Sequence, residues 1–171
     1  MSEGCQGSDL THLGVDGEVR MVDVSDKPVT PREATASALV TVRPAVLDQI
    51  LGSSLPKGDA LAAARIAGIQ AAKRTSEWIP LCHPIALDWI GVEFSRTAGD
   101  TLSIACTVRA CGRTGVEMEA LTGVAVAALT VYDMAKSADR SMVIGRVRLE
   151  RKSGGRSGVF DRSGDTPEGH G

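Results

Sequence analysis

Aromatic side chains are scarce in this chain: two tryptophans, one tyrosine and two phenylalanines, 3% of its 171 residues. With so few flat rings, a stacking platform for single-stranded nucleic acid is hard to build. A charge excess is lacking too. Nineteen Lys and Arg against 21 Asp and Glu leave a formal net charge of −2. Binding a phosphate backbone needs a basic surplus, so the balance argues against a nucleic-acid binder, while a local basic pocket for a small anion stays open. Close cysteine pairs are absent. Cys5, Cys82, Cys106 and Cys111 form no CxxC, and in a reducing cytosol they read as free thiols. Internal repeats are missing, which speaks against a solenoid. The longest uncharged run in the body, Ala120 to Tyr132, is too short to cross a bilayer. The amino terminus carries no basic segment followed by an apolar one, so the expected compartment is the cytoplasm.

What the chain does have is an ordinary globular composition, 43% apolar and 23% charged. A domain of this size buries roughly 70% of its unfolded surface, enough for one core without disulfides. Residues 1–9 and 153–171 are rich in Gly, Ser, Asp and Glu, and both ends are expected to fray. Between them, Ala36 to Val42 is a β-branched run that predicts a first strand. Pro44 suits the first turn of a short helix through Leu51, with Gly52 at its end. Asp59 is placed to cap a second helix from Ala60 to about Arg74. Alternation of Ile90, Val92 and Phe94, then of Leu102, Ile104, Cys106 and Val108, predicts two strands joined through Ala98-Gly99-Asp100 as a hairpin. A long helix is expected from about Val116 to Ser137. Its middle is apolar on nearly every face and calls for cover by the sheet and by a second surface, which a neighbouring subunit could supply. Val143, Val147 and Leu149 supply a last strand. This order is the split βαβ arrangement: an α+β fold with a four-stranded antiparallel sheet and helices on one face.

Several segments could carry chemistry. In Trp78-Ile79-Pro80-Leu81-Cys82-His83-Pro84 two prolines stiffen the backbone on either side of a Cys-His pair. Such a loop can aim an imidazole at a ligand, although a lone histidine is more often satisfied within its own turn. Zinc is disfavoured, because Cys106 and Cys111 lie outside the usual ligand spacing. Glu117 and Glu119 precede the apolar helix, where they either complement its macrodipole or serve a site. Asp133 and Lys136 share a helical face and read either as a surface ion pair or as a proton-transfer couple. Lys152-Ser153-Gly154-Gly155-Arg156-Ser157-Gly158 could wrap an anion with backbone N–H groups. It could equally be a flexible linker, and it does not match a Walker A loop.

Taken together, these segments resemble the MoaC family of cyclic pyranopterin monophosphate synthases in molybdenum-cofactor biosynthesis. The motifs are Met21-Val22-Asp23-Val24-Ser25, Lys57-Gly58-Asp59, Ala64 to Thr75, Ile79 to Pro84, Thr114 to Leu121, Tyr132-Asp133-Met134 and Lys152-Ser153-Gly154-Gly155. The resemblance runs from Leu10 to about Phe160, which sets the expected organisation: a flexible segment 1–9, one domain 10–160 and a flexible tail 161–171. It implies a ferredoxin-like fold with an added helix, and a hexamer built from three dimers with active sites at dimer interfaces. It implies a nucleotide-derived substrate, 3′,8-cyclo-7,8-dihydro-GTP, converted to cyclic pyranopterin monophosphate and pyrophosphate by a cytoplasmic lyase. Asp133, Lys136 and Lys57 are the catalytic residues by resemblance. Leu81, Cys82, His83, Glu117, Met118, Glu119, Arg32, Lys73, Arg74 and Lys152 are the substrate-binding ones. No metal site and no required cofactor are implied, though Mg²⁺ could accompany the triphosphate through water and phosphate oxygens. Arg113 and Arg156 depart from the family's frequent lysines and receive no catalytic role. The competing expectations are a non-enzymatic regulatory module that binds a small anion at a subunit interface, and a family member that has kept the fold and lost activity.

Overall fold

A computed structural model of the chain describes residues 18–162. The elements are β1 (Thr30–Thr41), α1 (Pro44–Leu51), α2 (Ala60–Lys73), α3 (Thr75–Trp78), β2 (Trp89–Ala98), β3 (Thr101–Gly112), α4 (Glu117–Ala135), β4 (Val143–Ser153) and β5 (Phe160–Asp161). They form one antiparallel sheet in the order β2-β3-β1-β4-β5. Crossover helices α2 and α4 pack against the sheet, the ferredoxin-like α+β arrangement expected from the sequence, with α1 as the added helix.

Two differences stand out. The expected four-stranded sheet has a fifth strand, because residues beyond Ser153 fold back and Phe160 and Asp161 pair with Lys152 and Arg151. A two-residue strand in a Gly/Ser-rich stretch carries no alternation to read. The expected domain limits at 9/10 lie outside the described residues, whereas 153–162 is built onto the sheet instead of fraying. The second difference is that β1 starts at Thr30 rather than Ala36. Its first four residues, Thr30 to Glu33, lack the clean burial alternation that starts at Ala34.

Period-two alternation sets the core. Ala34, Ala36, Ala38 and Val40 of β1, with Leu102, Ile104, Cys106 and Val108 of β3, are buried on the helical side of the sheet. Glu33, Thr35 and Ser37 take the alternate positions. Local signals hold where they were read. Pro44 occupies the first turn of α1 and Gly52 closes it, and the Asp59 carboxylate accepts the Ala62 N–H at 2.9 Å to cap α2.

Much of the apolar surface of α4 is covered within one chain, while Leu129 stays 58% exposed. Ala120, Val124, Ala127, Ala128 and Val131 are fully buried, with the sheet on one side and α2 on the other. The whole helix, 19 residues, is long and apolar enough by composition to cross a membrane, yet half of it is buried inside this fold. Two glycines let α2 and α4 touch. A Cβ on Gly68 would lie 2.9 Å from the Gly123 carbonyl and 3.2 Å from the Ala127 Cβ, and one on Gly123 would lie 2.7 Å from the Cys106 sulfur. Gly68→Ala should therefore lower stability by about 1–3 kcal/mol, since backbone rather than a flexible side chain must yield. A fall of several degrees in Tm by calorimetry is the expected reading. The single-turn α3 was not foreseen; the Thr75 hydroxyl bonds back to the Ala72 carbonyl at 3.0 Å where α2 ends.

Candidate active site

Most of the side chains singled out from the sequence gather near the two ends of α4. At its amino end, a cavity of about 450 Å³ is walled by Leu81, Cys82 and His83, by Glu117, Met118 and Glu119 of the first helical turn, and by Val22, Val24 and Lys27 from the loop before β1. Residues two apart on a helix diverge by roughly 200°, yet Glu117 and Glu119 both line this space because it wraps around the helix end. The His83 ring contacts the Val22 carbonyl through Nε2 at 2.8 Å. A carbonyl only accepts, so Nε2 carries the proton, and in the neutral ring Nδ1 is left with a free lone pair. Glu119 is 4% exposed, and burial pushes its carboxyl above the usual carboxylate range. Burial, with the Glu119 charge behind it, also raises the Cys82 thiol, which is a wall of the cavity rather than a ready nucleophile.

A second cavity of about 600 Å³ adjoins the first and shares Lys27, Thr114, Gly115 and Glu117 with it. Lys27, Arg32, Arg113 and Arg156 bring four cations to its lining against the one carboxylate of Glu117. Arg32 is held in place from two sides. Its Nε donates to the Gly112 carbonyl at 3.3 Å, and the loop after β4 closes over it. Gly154 and Gly155 adopt φ of +95° and +74°, and a Cβ on Gly155 would sit 1.7 Å from an Arg32 guanidinium nitrogen. Only glycine combines that backbone with that approach. The Gly-rich segment is therefore a built loop rather than a linker. Lys152 donates to Ser157 Oγ within it, and Ser157 lines the cavity.

The carboxyl end of α4 carries the other cluster. Asp133 Oδ2 accepts from Lys57 Nζ at 2.9 Å, and Asp133 Oδ1 meets Lys136 Nζ at 2.6 Å. Lys57 also donates to the Asp133 backbone carbonyl at 2.8 Å. Hydrogen bonds from Lys136 first, then Lys57, hold the Asp133 carboxyl down at about 2. All three side chains are half-exposed. Lys57 precedes α2 and Asp133 lies near the end of α4, so this contact shows that the two helices run antiparallel.

The residues singled out from sequence thus separate cleanly. Leu81, Cys82, His83, Glu117, Met118 and Glu119 share one cavity, and Arg32 lies in the adjoining one with Lys152 behind its loop. Lys57, Asp133 and Lys136 form the opposite cluster. At 1.5 Å per residue, the run from Glu119 to Asp133 spans roughly 21 Å. Lys73 and Arg74 are exposed at the end of α2 and line neither cavity. Sequence reasoning missed Lys27, which lines both cavities; its signal was its place just after the Met21–Ser25 motif. Arg113 and Arg156, set aside as departures, line the cationic cavity. Among the described residues, no group of three or more His, Cys, Asp or Glu gathers to hold a metal ion.

Comparison with known proteins identifies the family. Residues 21–155 match the model of the MoaC family. A Mycobacterium bovis protein named cyclic pyranopterin monophosphate synthase 1 is 56% identical over 154 residues, 90% of this chain and 91% of the relative. A cyclic pyranopterin monophosphate synthase of Pelotomaculum thermopropionicum is 55% identical over 159 residues, 92% of this chain and 94% of the relative. Another, from a Roseiflexus species, is 57% identical over 154 residues, 90% of this chain and 98% of the relative. By sequence over nearly its whole length, this chain belongs to the MoaC family.

Proposed function

We propose that this chain is a cytoplasmic cyclic pyranopterin monophosphate synthase acting on 3′,8-cyclo-7,8-dihydro-GTP and releasing pyrophosphate. The observation that carries the reading is the division of labour between the two ends of α4. The amino end offers a slot with apolar walls, Leu81, Met118 and Val22, edged by an imidazole and two carboxylates, beside a four-cation cavity. The slot suits the purine-derived ring, and the cations suit the triphosphate, whose charge grows on the pyrophosphate as it leaves. Arg113 and Arg156 add planar, permanently charged forks there. The carboxyl end supplies a carboxylate gripping two ammonium groups, a set that can take and return protons while the ring is rearranged. A sugar hydroxyl must also lose its proton as it attacks the α-phosphorus.

Roughly 21 Å separates the two ends within one protomer, too far for a single substrate to touch both. We place the complete site between copies, with the amino end of α4 from one protomer facing the carboxyl end of its partner's. This is the arrangement a homo-hexamer of three dimers provides. An accompanying Mg²⁺ would be carried by phosphate oxygens and water, since the described lining of the cationic cavity offers Glu117 as its one carboxylate. Incubating the purified protein with the cyclised nucleotide should yield pyrophosphate and a pterin cyclic monophosphate by mass spectrometry. Binding without turnover would instead identify an anion-binding module or an inactive relative.

A further inference from the structure

One strongly buried charge lies outside both clusters. Asp139 is 3% exposed, and it sits in the turn that ends α4. Its Oδ2 accepts the Arg43 backbone N–H at 2.9 Å, and its Oδ1 accepts from Ser141 N at 2.9 Å and Ser141 Oγ at 2.6 Å. The Arg43 guanidinium adds an ion pair at 3.5 Å and donates to the Ala138 carbonyl. Arg43 is the residue that opens α1, where no side chain of its own caps the helix. Asp139 therefore caps α1 from across the fold.

The two segments joined this way are the ones that bear the carboxyl-end cluster. From Arg43 the chain runs through α1, seated by Val46, Leu47 and Ile50, then past buried Leu55 to Lys57. On the other side, Asp139 N and Ala138 N both donate to the Ala135 carbonyl, and Lys136 N donates to the Tyr132 carbonyl. This locks the turn that carries Lys136 to the helix that carries Asp133. We infer that Asp139, through Arg43, is a positioning residue that sets the Lys57–Asp133–Lys136 constellation in its working geometry. The inference rests on the reading of that constellation as the proton-transfer set. Its chemical logic is that acid–base groups lose rate steeply when displaced by even about an ångström, roughly 10²-fold. Ionised Asp139 is what the four donor contacts require, and its hydrogen bonds from Ser141, then from Arg43, draw its carboxyl down to about 2.

The test compares wild type with Asp139→Asn in the intact assembly. A carboxamide keeps the shape but turns one acceptor into a donor that faces donors. Turnover of the cyclised nucleotide should fall about 10- to 100-fold in kcat, with KM within about twofold. In parallel, acetic anhydride labelling of the native protein, read by mass spectrometry, reports whether Lys57 and Lys136 remain gripped. Both should label several-fold faster in the variant, with Lys27 as the unchanged reference. An unchanged kcat, or a lower kcat with unaltered labelling of Lys57 and Lys136, overturns the inference and leaves Asp139 a purely structural cap. Should Asp139→Asn fail to fold, Ser141→Ala removes one donor and keeps the charge. It should move both readings in the same direction by less, and no movement in either overturns the inference. If wild type makes no product, the proposed function fails, while the labelling still decides the positioning role.

Discussion

Replacing Asp133 with asparagine should cut turnover of the cyclised nucleotide by about 10²- to 10⁴-fold, the range expected when a positioned acid–base group is removed. The substitution keeps the side chain's shape and takes away its negative charge. Lys57 and Lys136 are then left as two ammonium groups about a neutral amide that can neither hold them together nor receive a proton. Stability should barely change. The carboxylate is more than half exposed, and exposed ion pairs contribute little to folding because water screens them. Loss of kcat at constant Tm, KM and oligomeric state is thus the expected pattern. Substantial turnover by Asp133→Asn would reduce the cluster to a surface ion pair and remove the chemistry from that end of α4. The pH dependence has a definite sign. The folded protein lowers the Asp133 pKa to about 2, so its ionised form is favoured by the fold. That contribution is complete above the ordinary carboxylate value and disappears only as pH falls toward 2. An acid limb in kcat near neutrality would therefore belong to a group other than Asp133.

Two inactive variants should together recover activity. His83→Ala damages the amino end of α4, Asp133→Asn the carboxyl end, and each alone should be nearly inert. If every site draws one end from each protomer of a two-fold dimer, a mixed dimer holds one doubly damaged site and one intact site. With random pairing about half the dimers are mixed, so co-expression should restore about a quarter of wild-type activity per protomer. A site contained in a single chain predicts no recovery at all. The distance argument makes this outcome large, since the ends of α4 lie roughly 21 Å apart and cannot exchange partners within one protomer by any side-chain motion. Kinetic assay of the co-purified mixture checks it directly, with each parent variant as the baseline.

The fold was legible wherever local physics decides it. Pro44, Gly52 and Asp59 act on their own neighbours, and the Asp59 cap appears at hydrogen-bonding distance as expected. Alternation in β2 and β3 announced the hairpin because one face is buried and the other is not. Legibility failed where the signal was short or absent, as in β5 with two residues, or in Pro31–Glu33 at the start of β1. The apolar middle of α4 was read correctly as needing cover on two sides. That much of the cover comes from α2, through the Gly68–Gly123 approach, is a matter of helix crossing that no linear pattern encodes.

Much of the candidate site's lining was legible in the sequence because Leu81–His83 and Glu117–Glu119 sit in compact motifs, whereas Lys27, Arg113 and Arg156 were not singled out and Lys73 and Arg74 line neither cavity. The sequence by itself determined which side chains are available: the Cys82-His83 loop, the paired glutamates, the Asp133–Lys136 spacing and the Gly154-Gly155 loop. Tertiary structure alone decided which of them meet. It brought Lys57 to Asp133, closed the glycine loop over Arg32 and drew Lys27, Arg113 and Arg156 around one cavity. It also held the two clusters apart at opposite ends of a rigid rod. The physical reason is that hydrogen-bonded neighbours along a helix or strand are set by short-range sterics, whereas contacts between distant segments depend on how whole elements pack, and packing is a property of the assembled core.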